Sequence, residues 1–353
     1  MPATASRATP SLPPDPLATR LAPGVLLATG VGLVALAIAG VEERAFGHPI
    51  VEGLVVAILL GMVIRTLWTP SGRLDAGIGF TAKEVLEVAV LLLGASVDLP
   101  LLLHAGPALA VGIVLLVVLG IAFSYGIGRA MGLPHKLSVL VACGNSICGN
   151  SAIAAVAPVI RAEKEHVASS IAFTAILGVV VVIGLPFLIR PLGLSFYQYG
   201  VLAGLTVYAV PQVLAAAFPV SVLSGQVGTL VKLVRVLMLG PVVLFFALKH
   251  RNDADAPVGA AASFSITRFV PWFIIGFLAL AGLRSAGGIP LGAATAMKSL
   301  SMWLTVAAMA ALGLGVDLKA IARVGRPVIL TVTASLVVLV ALSVALIHLL
   351  SIR

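Results

Sequence analysis

Cys143-Gly144-Asn145-Ser146-Ile147-Cys148-Gly149-Asn150-Ser151 interrupts an apolar run that extends from about residue 137 to 159. Two Asn, two Ser and two Gly fall in mid-run. Asn and Ser in hydrocarbon cost free energy unless they find partners, and Gly is a poor helix former. The spacing predicts an interrupted helix with break residues Gly144 and Gly149, whose unwound stretch must line a cavity or pack on protein. The half-helix that follows then opens on unbonded backbone N–H groups and the positive end of its dipole, a setting that favours an anion. A tight crossing of small residues would use the same residue types. A near-repeat of Gly-Asn-Ser within nine residues favours binding, and Asn145, Ser146, Gly149, Asn150 and Ser151 are the candidate ligands.

The rest of the chain explains why such a stretch lies in a membrane. The 353 residues are 60% hydrophobic and 10% charged, with a mean hydropathy of +1.18, whereas soluble domains carry roughly 25% charged residues. The apolar runs are continuous and near 20 residues long, not the alternating ten-residue segments of a membrane β-barrel. They fall at about 21–40, 50–67, 84–103, 107–128, 137–159, 168–189, 197–218, 230–248, 268–284, 298–316 and 327–350. The expected fold is therefore an all-α polytopic membrane protein of about 11 transmembrane helices. Residues 1–20, polar and Pro-rich, read as a disordered cytoplasmic tail, and 21–353 as a single transmembrane domain. The Leu21–Gly40 run exceeds a signal-peptide core and reads as a retained span.

The net charge of +9 resides in short loops, where it signals topology and not nucleic-acid binding. With the N-terminus inside, the 22 Lys and Arg divide 14 inside to 8 outside, which orients the N-terminus to the cytoplasm and the C-terminus to the periplasm. Two echoes suggest internal duplication. Leu93-Gly94-Ala95-Ser96-Val97-Asp98-Leu99 matches Leu312-Gly313-Leu314-Gly315-Val316-Asp317-Leu318, seven spans apart and so inverted in the membrane. Ala154–Gly178 resembles Ala215–Gly240, each with a Pro near a span end (Pro158, Pro219). The two do not fit one simple repeat scheme.

Two further segments carry chemistry. In Thr206-Val207-Tyr208-Ala209-Val210-Pro211-Gln212, Pro211 removes a backbone hydrogen bond and breaks or kinks the span, beside the polar Thr206 and Gln212. Lys232 and Arg235, three apart, share one helix face, with no acidic residue between Gly228 and Pro241. Snorkelling to the interface competes with a role in binding substrate or a counter-ion. Glu87 is the best-placed acid for ion coupling, and Lys83 one turn away could pair with it. No Gly-Lys-Ser/Thr phosphate loop occurs, and no cofactor or metal motif is recognised.

At these residues the chain resembles the YeiH-type family of bacterial inner-membrane proteins, named as sulfate exporters. The matching residues are Ser146-Ile147-Cys148-Gly149, Ala154–Ile160 with Pro158, Thr206-Val207, Val210 and Gln212-Val213. They continue through Lys232, Arg235-Val236, Met238-Leu239, Pro241, Pro271-Trp272-Phe273 and Met309–Leu314. The resemblance implies a fold like that of the bile-acid symporters and sodium–proton antiporters, with two interrupted helices crossing near the midplane. It also implies export of sulfate or a related sulfur oxyanion or sulfonate. The chain departs from the family pattern in carrying Tyr208-Ala209 for a His-Glu pair and Pro211 for Ala, which removes a titratable pair from the site.

The expectation is a secondary transporter and not an enzyme. A small anion would bind Asn145, Ser146, Asn150, Ser151 and Gln212, with charge supplied by Lys232 and Arg235. A sodium- or proton-coupled importer of an organic anion would share the architecture. A thiol-redox protein using Cys143 and Cys148 is disfavoured by their spacing of five. The surroundings are the bilayer of a bacterial inner membrane, with H⁺ or Na⁺ as coupling ion, and the apolar faces leave room for a homodimer.

Overall fold

The computed structural model describes residues 17–46, 53–68, 70–96, 106–249, 272–316 and 325–350, and every regular element among them is helical. Most of the expected tail, the Val97–Leu99 and Asp317–Leu318 ends of the first echo, and the 250–271 loop lie outside the described residues. Five helices are long and apolar enough to cross a bilayer: Thr19–Glu42, Pro107–Ala130, Val222–Lys249, Leu291–Leu314 and Arg326–Leu349. The protein is thus a multi-pass helical membrane protein.

The helices sort into two bundles. The first holds α1 (Leu17–Phe46), α2 (Gly53–Leu67), α3 (Gly72–Phe80) and α4 (Leu86–Leu93), the last two joined by a π-helical turn at Thr81–Val85. It is completed later in the chain by α13 (Trp272–Ser285) and α14 (Leu291–Leu314). Because lipid solvates Leu as well as a neighbouring helix does, association here relies on close backbone approach and polar contacts. Gly61 on α2 faces Gly313 on α14, where an added Cβ would lie 2.5 Å from the Ala310 carbonyl oxygen. Ser301 Oγ donates to Ala89 O at 2.6 Å, tying α14 to α4.

The second bundle contains α5 (Gly106–Ala130), α6 (His135–Ser146), α7 (Asn150–Val159) and α8 (Lys164–Gly184, extended by Leu185–Leu188 and Ile189–Leu192). It continues with α9 (Phe196–Thr206), α10 (Val210–Ala217), α11 (Val222–Leu237), α12 (Leu239–Lys249) and α15 (Arg326–Leu349). The bundles meet mainly where α8 and α10 lie against α2 and α14, and Gln226 Nε2 donates across to Ser96 O at 2.7 Å.

The two interrupted stretches differ from the sequence expectation in an important way: each reverses direction. A continuous helix from Lys136 to Arg161 would be about 37 Å long, far beyond a lysine's reach. Yet Lys136 Nζ donates to Arg161 O at 2.8 Å. Ile153 Cδ1 comes within 3.0 Å of the place a Cβ on Gly144 would take. α6 and α7 are therefore the arms of a hairpin with its tip at Ile147-Cys148-Gly149. α9 and α10 do the same, since Tyr199 near one base donates from Oη to Ala216 O near the other at 2.8 Å. Arms of 12 and 10 residues, and of 11 and 8, reach about 12–18 Å, half a bilayer.

The 28-residue run Val222–Lys249 orders these hairpins. Its start packs at the base of the second, with Ser224 Oγ donating to Phe196 O at 2.7 Å. Its far half, α12, packs on α7 of the first, and Lys249 shares a cleft with His135 at that hairpin's base. The hairpins thus approach from opposite ends of this run and meet at its middle.

Candidate functional site

Lys232 and Arg235 stand on α11 at the meeting point, and both are completely buried. Lys232 Nζ donates to Ile147 O at 2.6 Å and to Val207 O at 2.8 Å, one carbonyl from each hairpin tip. Arg235 Nε donates to Ser146 O at 3.2 Å, Nη2 to Asn145 O at 3.2 Å, and Nη1 to Gly204 O at 3.0 Å and to Leu205 O. These carbonyls end α6 and α9, where intrahelical partners run out and the dipole is negative. The two cations therefore tie both first arms together at their C-termini. Snorkelling is ruled out by this burial, and no Asp or Glu is buried among the described residues.

The second arms open on the other side of the tips. Gly149 has φ 64° and ψ −123°, a region that glycine enters without the penalty of a Cβ. It precedes α7 with no side-chain cap, and Asn150 and Ser151 follow, both exposed. Thr174 Oγ1, on α8, donates to Asn150 Oδ1. At the other tip the helix ends at Thr206 and resumes at Val210, so the break precedes Pro211, which sits in the first turn of α10. There proline lacks only a hydrogen bond that the position would not make and pre-sets the helical φ. Gln212 Oε1 accepts from Ala209 N at 3.1 Å, and its amide occupies the space a side chain at Gly178 would need. The tips touch: Tyr208 Cβ lies 3.4 Å from the Cβ position of Gly149.

Other expected residues are placed as follows. Asn145 and Ser146 are buried in the last turn of α6, and neither side chain finds a hydrogen-bond partner in the protein. Thr206 Oγ1 is engaged by Leu202 O at 2.7 Å. Gly144 lies within α6, so it packs against Ile153 and does not form the break. Glu87 is away from the tips: its Oε2 accepts from Trp272 Nε1 at 2.6 Å, joining α4 to α13, while Lys83 pairs with Glu84 at 3.2 Å. Cys143 and Cys148 are free and buried. Among the described residues no group of three or more His, Cys, Asp or Glu could hold a metal. Sequence reasoning missed Thr174 and Gly178 of α8, and read Tyr208 only as the loss of a titratable pair and not as the buried, unpaired hydroxyl it is. The only signal for Thr174 was a hydroxyl in an apolar helix.

Two helical hairpins meeting tip to tip over a buried pair of cations define a multi-pass membrane protein with a polar centre built from broken helices. Comparison with known proteins gives this class a family. The model of the family described as Conserved hypothetical protein 698 matches residues 23–332. The UPF0324 membrane protein BMEI1914 of Brucella melitensis is 55% identical over 331 residues, 94% of this chain and 91% of the relative. The UPF0324 membrane protein blr3189 of Bradyrhizobium diazoefficiens is 54% identical over 329 residues, 93% of each. The UPF0324 membrane protein TauZ of Paracoccus pantotrophus is 35% identical over 323 residues, 90% of this chain and 94% of the relative. The chain belongs to the UPF0324 family of membrane proteins, consistent with its YeiH-type resemblance.

Proposed function

We propose that this protein is a secondary transporter of a small anion, with sulfate, sulfite or a small sulfonate as the substrate class. The observation that carries the reading is the charge arrangement at the tips. Lys232 and Arg235 satisfy the negative ends of α6 and α9, while the positive ends of α7 and α10 open without a carboxylate to meet them. An anion at those N-termini would take hydrogen bonds from the first N–H groups of α7 and from Val210 N of α10, since Pro211 has no N–H and Ala209 N is held by Gln212 Oε1. It would also meet the side chains of Asn145, Asn150, Ser151, Gln212 and Tyr208. Lys232 and Arg235 act on it chiefly through their field, most of their donors being engaged by carbonyls. Sulfonates enter the class alongside a relative bearing the name TauZ.

Each hairpin would enter and leave the membrane on one face, giving nine crossings with the N-terminus inside and the C-terminus outside. Under that topology Arg161 and Lys164 join the inner side, Arg190 joins the outer, and the buried Lys232 and Arg235 leave the tally. The Lys and Arg then divide 15 inside to 5 outside, a stronger bias than eleven crossings give. The two echoes also fall into one permuted inverted repeat, with α4 matching α14 and the first hairpin with α8 matching the second hairpin with α11. The bundle carrying the tips would shift against the other along α8 and α10 to alternate access.

The test is uptake of radiolabelled sulfate, sulfite and taurine into proteoliposomes, with and without Na⁺ or pH gradients, for the native protein and an Asn150→Ala/Ser151→Ala variant. We expect gradient-dependent flux of one anion, with KM raised about tenfold or more in the variant, the size of a lost hydrogen bond to a charged group. Absence of flux for every anion from folded protein would sink the reading. The direction of the effective gradient separates an exporter from a coupled importer.

A further inference from the structure

The carbonyls held by Lys232 and Arg235 form a matched set. Ile147 and Val207 cap the C-termini of α6 and α9, and Lys232 Nζ donates to one carbonyl of each, at 2.6 and 2.8 Å. Arg235 donates to the carbonyls just before them, Ser146 O and Asn145 O on α6 and Gly204 O and Leu205 O on α9. Both side chains are completely buried, and no Asp or Glu among the described residues is buried with them. Six main-chain oxygens from two helix C-termini thus converge on two cationic side chains.

Carbonyls at the C-terminal ends of broken helices are ligands that a membrane carrier can offer to a small monovalent cation. Their lone pairs lack intrahelical partners, and the helix dipole there is negative. An ammonium is a compact, strongly hydrated point charge. A seat that replaces its water with carbonyl oxygens would replace the water of an alkali ion by the same means. The difference is covalent: Lys232 belongs to α11 and is not released to either side of the membrane. Among the described residues no group of three or more His, Cys, Asp or Glu offers another metal site.

We propose that Lys232 Nζ is a built-in replacement for an alkali cation at the seat formed by Ile147 O and Val207 O. The native protein therefore binds no Na⁺ there and holds its hairpin tips together without one. Where the protein carries an anion as proposed above, Na⁺ is then not the coupling ion, and flux follows a pH gradient or exchange against a second anion. That consequence rests on the transporter reading, whereas the occupied seat does not.

The test is the melting temperature in detergent of the native protein, Lys232→Ala and Lys232→Met, with NaCl exchanged for choline chloride at constant ionic strength. The native protein should melt at the same temperature in both salts. Lys232→Ala vacates the side chain beyond Cβ and leaves both carbonyls facing room for an ion with part of its water. Its melting temperature should be lowered in choline chloride, then rise by about 2–4 °C for each tenfold increase in NaCl once the seat begins to fill. Lys232→Met fills the same space with an apolar thioether, so it should be lowered alike in both salts. For a variant too unstable to melt cleanly, the monodisperse fraction extracted in each salt gives the same comparison. Native protein stabilised by Na⁺ over choline, a Lys232→Ala variant indifferent to Na⁺, or equal rescue of the Ala and Met variants would each overturn the proposal. None of these readouts requires transport, so the seat and the transporter reading fail separately.

Discussion

The two hairpins are alike in outline and unlike in how each is made to turn. The first turns on glycine: Gly149 takes a positive φ, and the tip uses small residues on both sides. The second keeps extended backbone at Val207 (φ −68°, ψ 143°) and Ala209 (φ −111°, ψ 151°), then restarts with Pro211 and the Gln212 side chain on Ala209 N. The first base is closed by an exposed lysine on a carbonyl, the second by a buried tyrosine. What they share is the pair of cations on α11. One turn is thus encoded locally by glycine and the other by proline and glutamine, while their meeting is encoded elsewhere in the chain, at Lys232 and Arg235.

That division predicts where damage is greatest. Arg235 holds four carbonyls from both hairpins, and hydrogen bonds to charged groups are worth about 1.5–3 kcal/mol each. Arg235→Ala should cost on the order of 4 kcal/mol or more, appearing as loss of monodisperse protein in detergent. Arg235→Lys should recover only part of the stability, because an ammonium cannot reproduce the planar fork. Lys232→Ala, which removes two bonds, should fall between. A normal melting temperature for Arg235→Ala would show that the hairpins meet without their cations.

Next in size is a test that separates the two turns. Gly149→Ala should cost about 1–3 kcal/mol, since its φ and ψ are strained for any residue with a Cβ. Ala209→Gly, at the corresponding restart of the second hairpin, should cost well under 1 kcal/mol because Ala209 is already in a region open to all residues. Thermal shift in detergent measures both. Equal losses would mean that backbone strain is not what distinguishes the tips.

The sequence revealed the breaks, the polar residues beside them and Lys232 and Arg235 as intramembrane cations, though with snorkelling left open, because each departs from an apolar helix in its own composition. It did not reveal that the chain turns back. Gly149 or Pro211 interrupts a helix equally well whether the next arm continues or reverses, and each stretch of some 25 residues is as long as a single crossing. The reversal is fixed by long-range contacts such as Lys136 with Arg161 and Tyr199 with Ala216, and neither lysine nor tyrosine marks its partner. The role of the cations was likewise hidden, since their ligands are main-chain carbonyls that every residue possesses. Thr174 and Gly178 escaped notice because α8 is otherwise an unremarkable apolar helix.

The smallest effect lies at the hairpin bases, where the two closures can be compared directly. Tyr199 is fully buried, and Tyr199→Phe deletes one hydroxyl while leaving Ala216 O without that donor. Leaving a buried carbonyl short of a partner costs about 1–3 kcal/mol, so a melting shift of a few degrees should be visible. Lys136 makes the same kind of bond to Arg161 O, but the bond is exposed, and water can replace the ammonium. Lys136→Gln should therefore cost no more than about 0.5 kcal/mol. If Lys136→Gln instead destabilises as much as Tyr199→Phe, the first base is drier than its exposure suggests, and the α5–α6 turn closes the hairpin as firmly as the buried tyrosine closes the second.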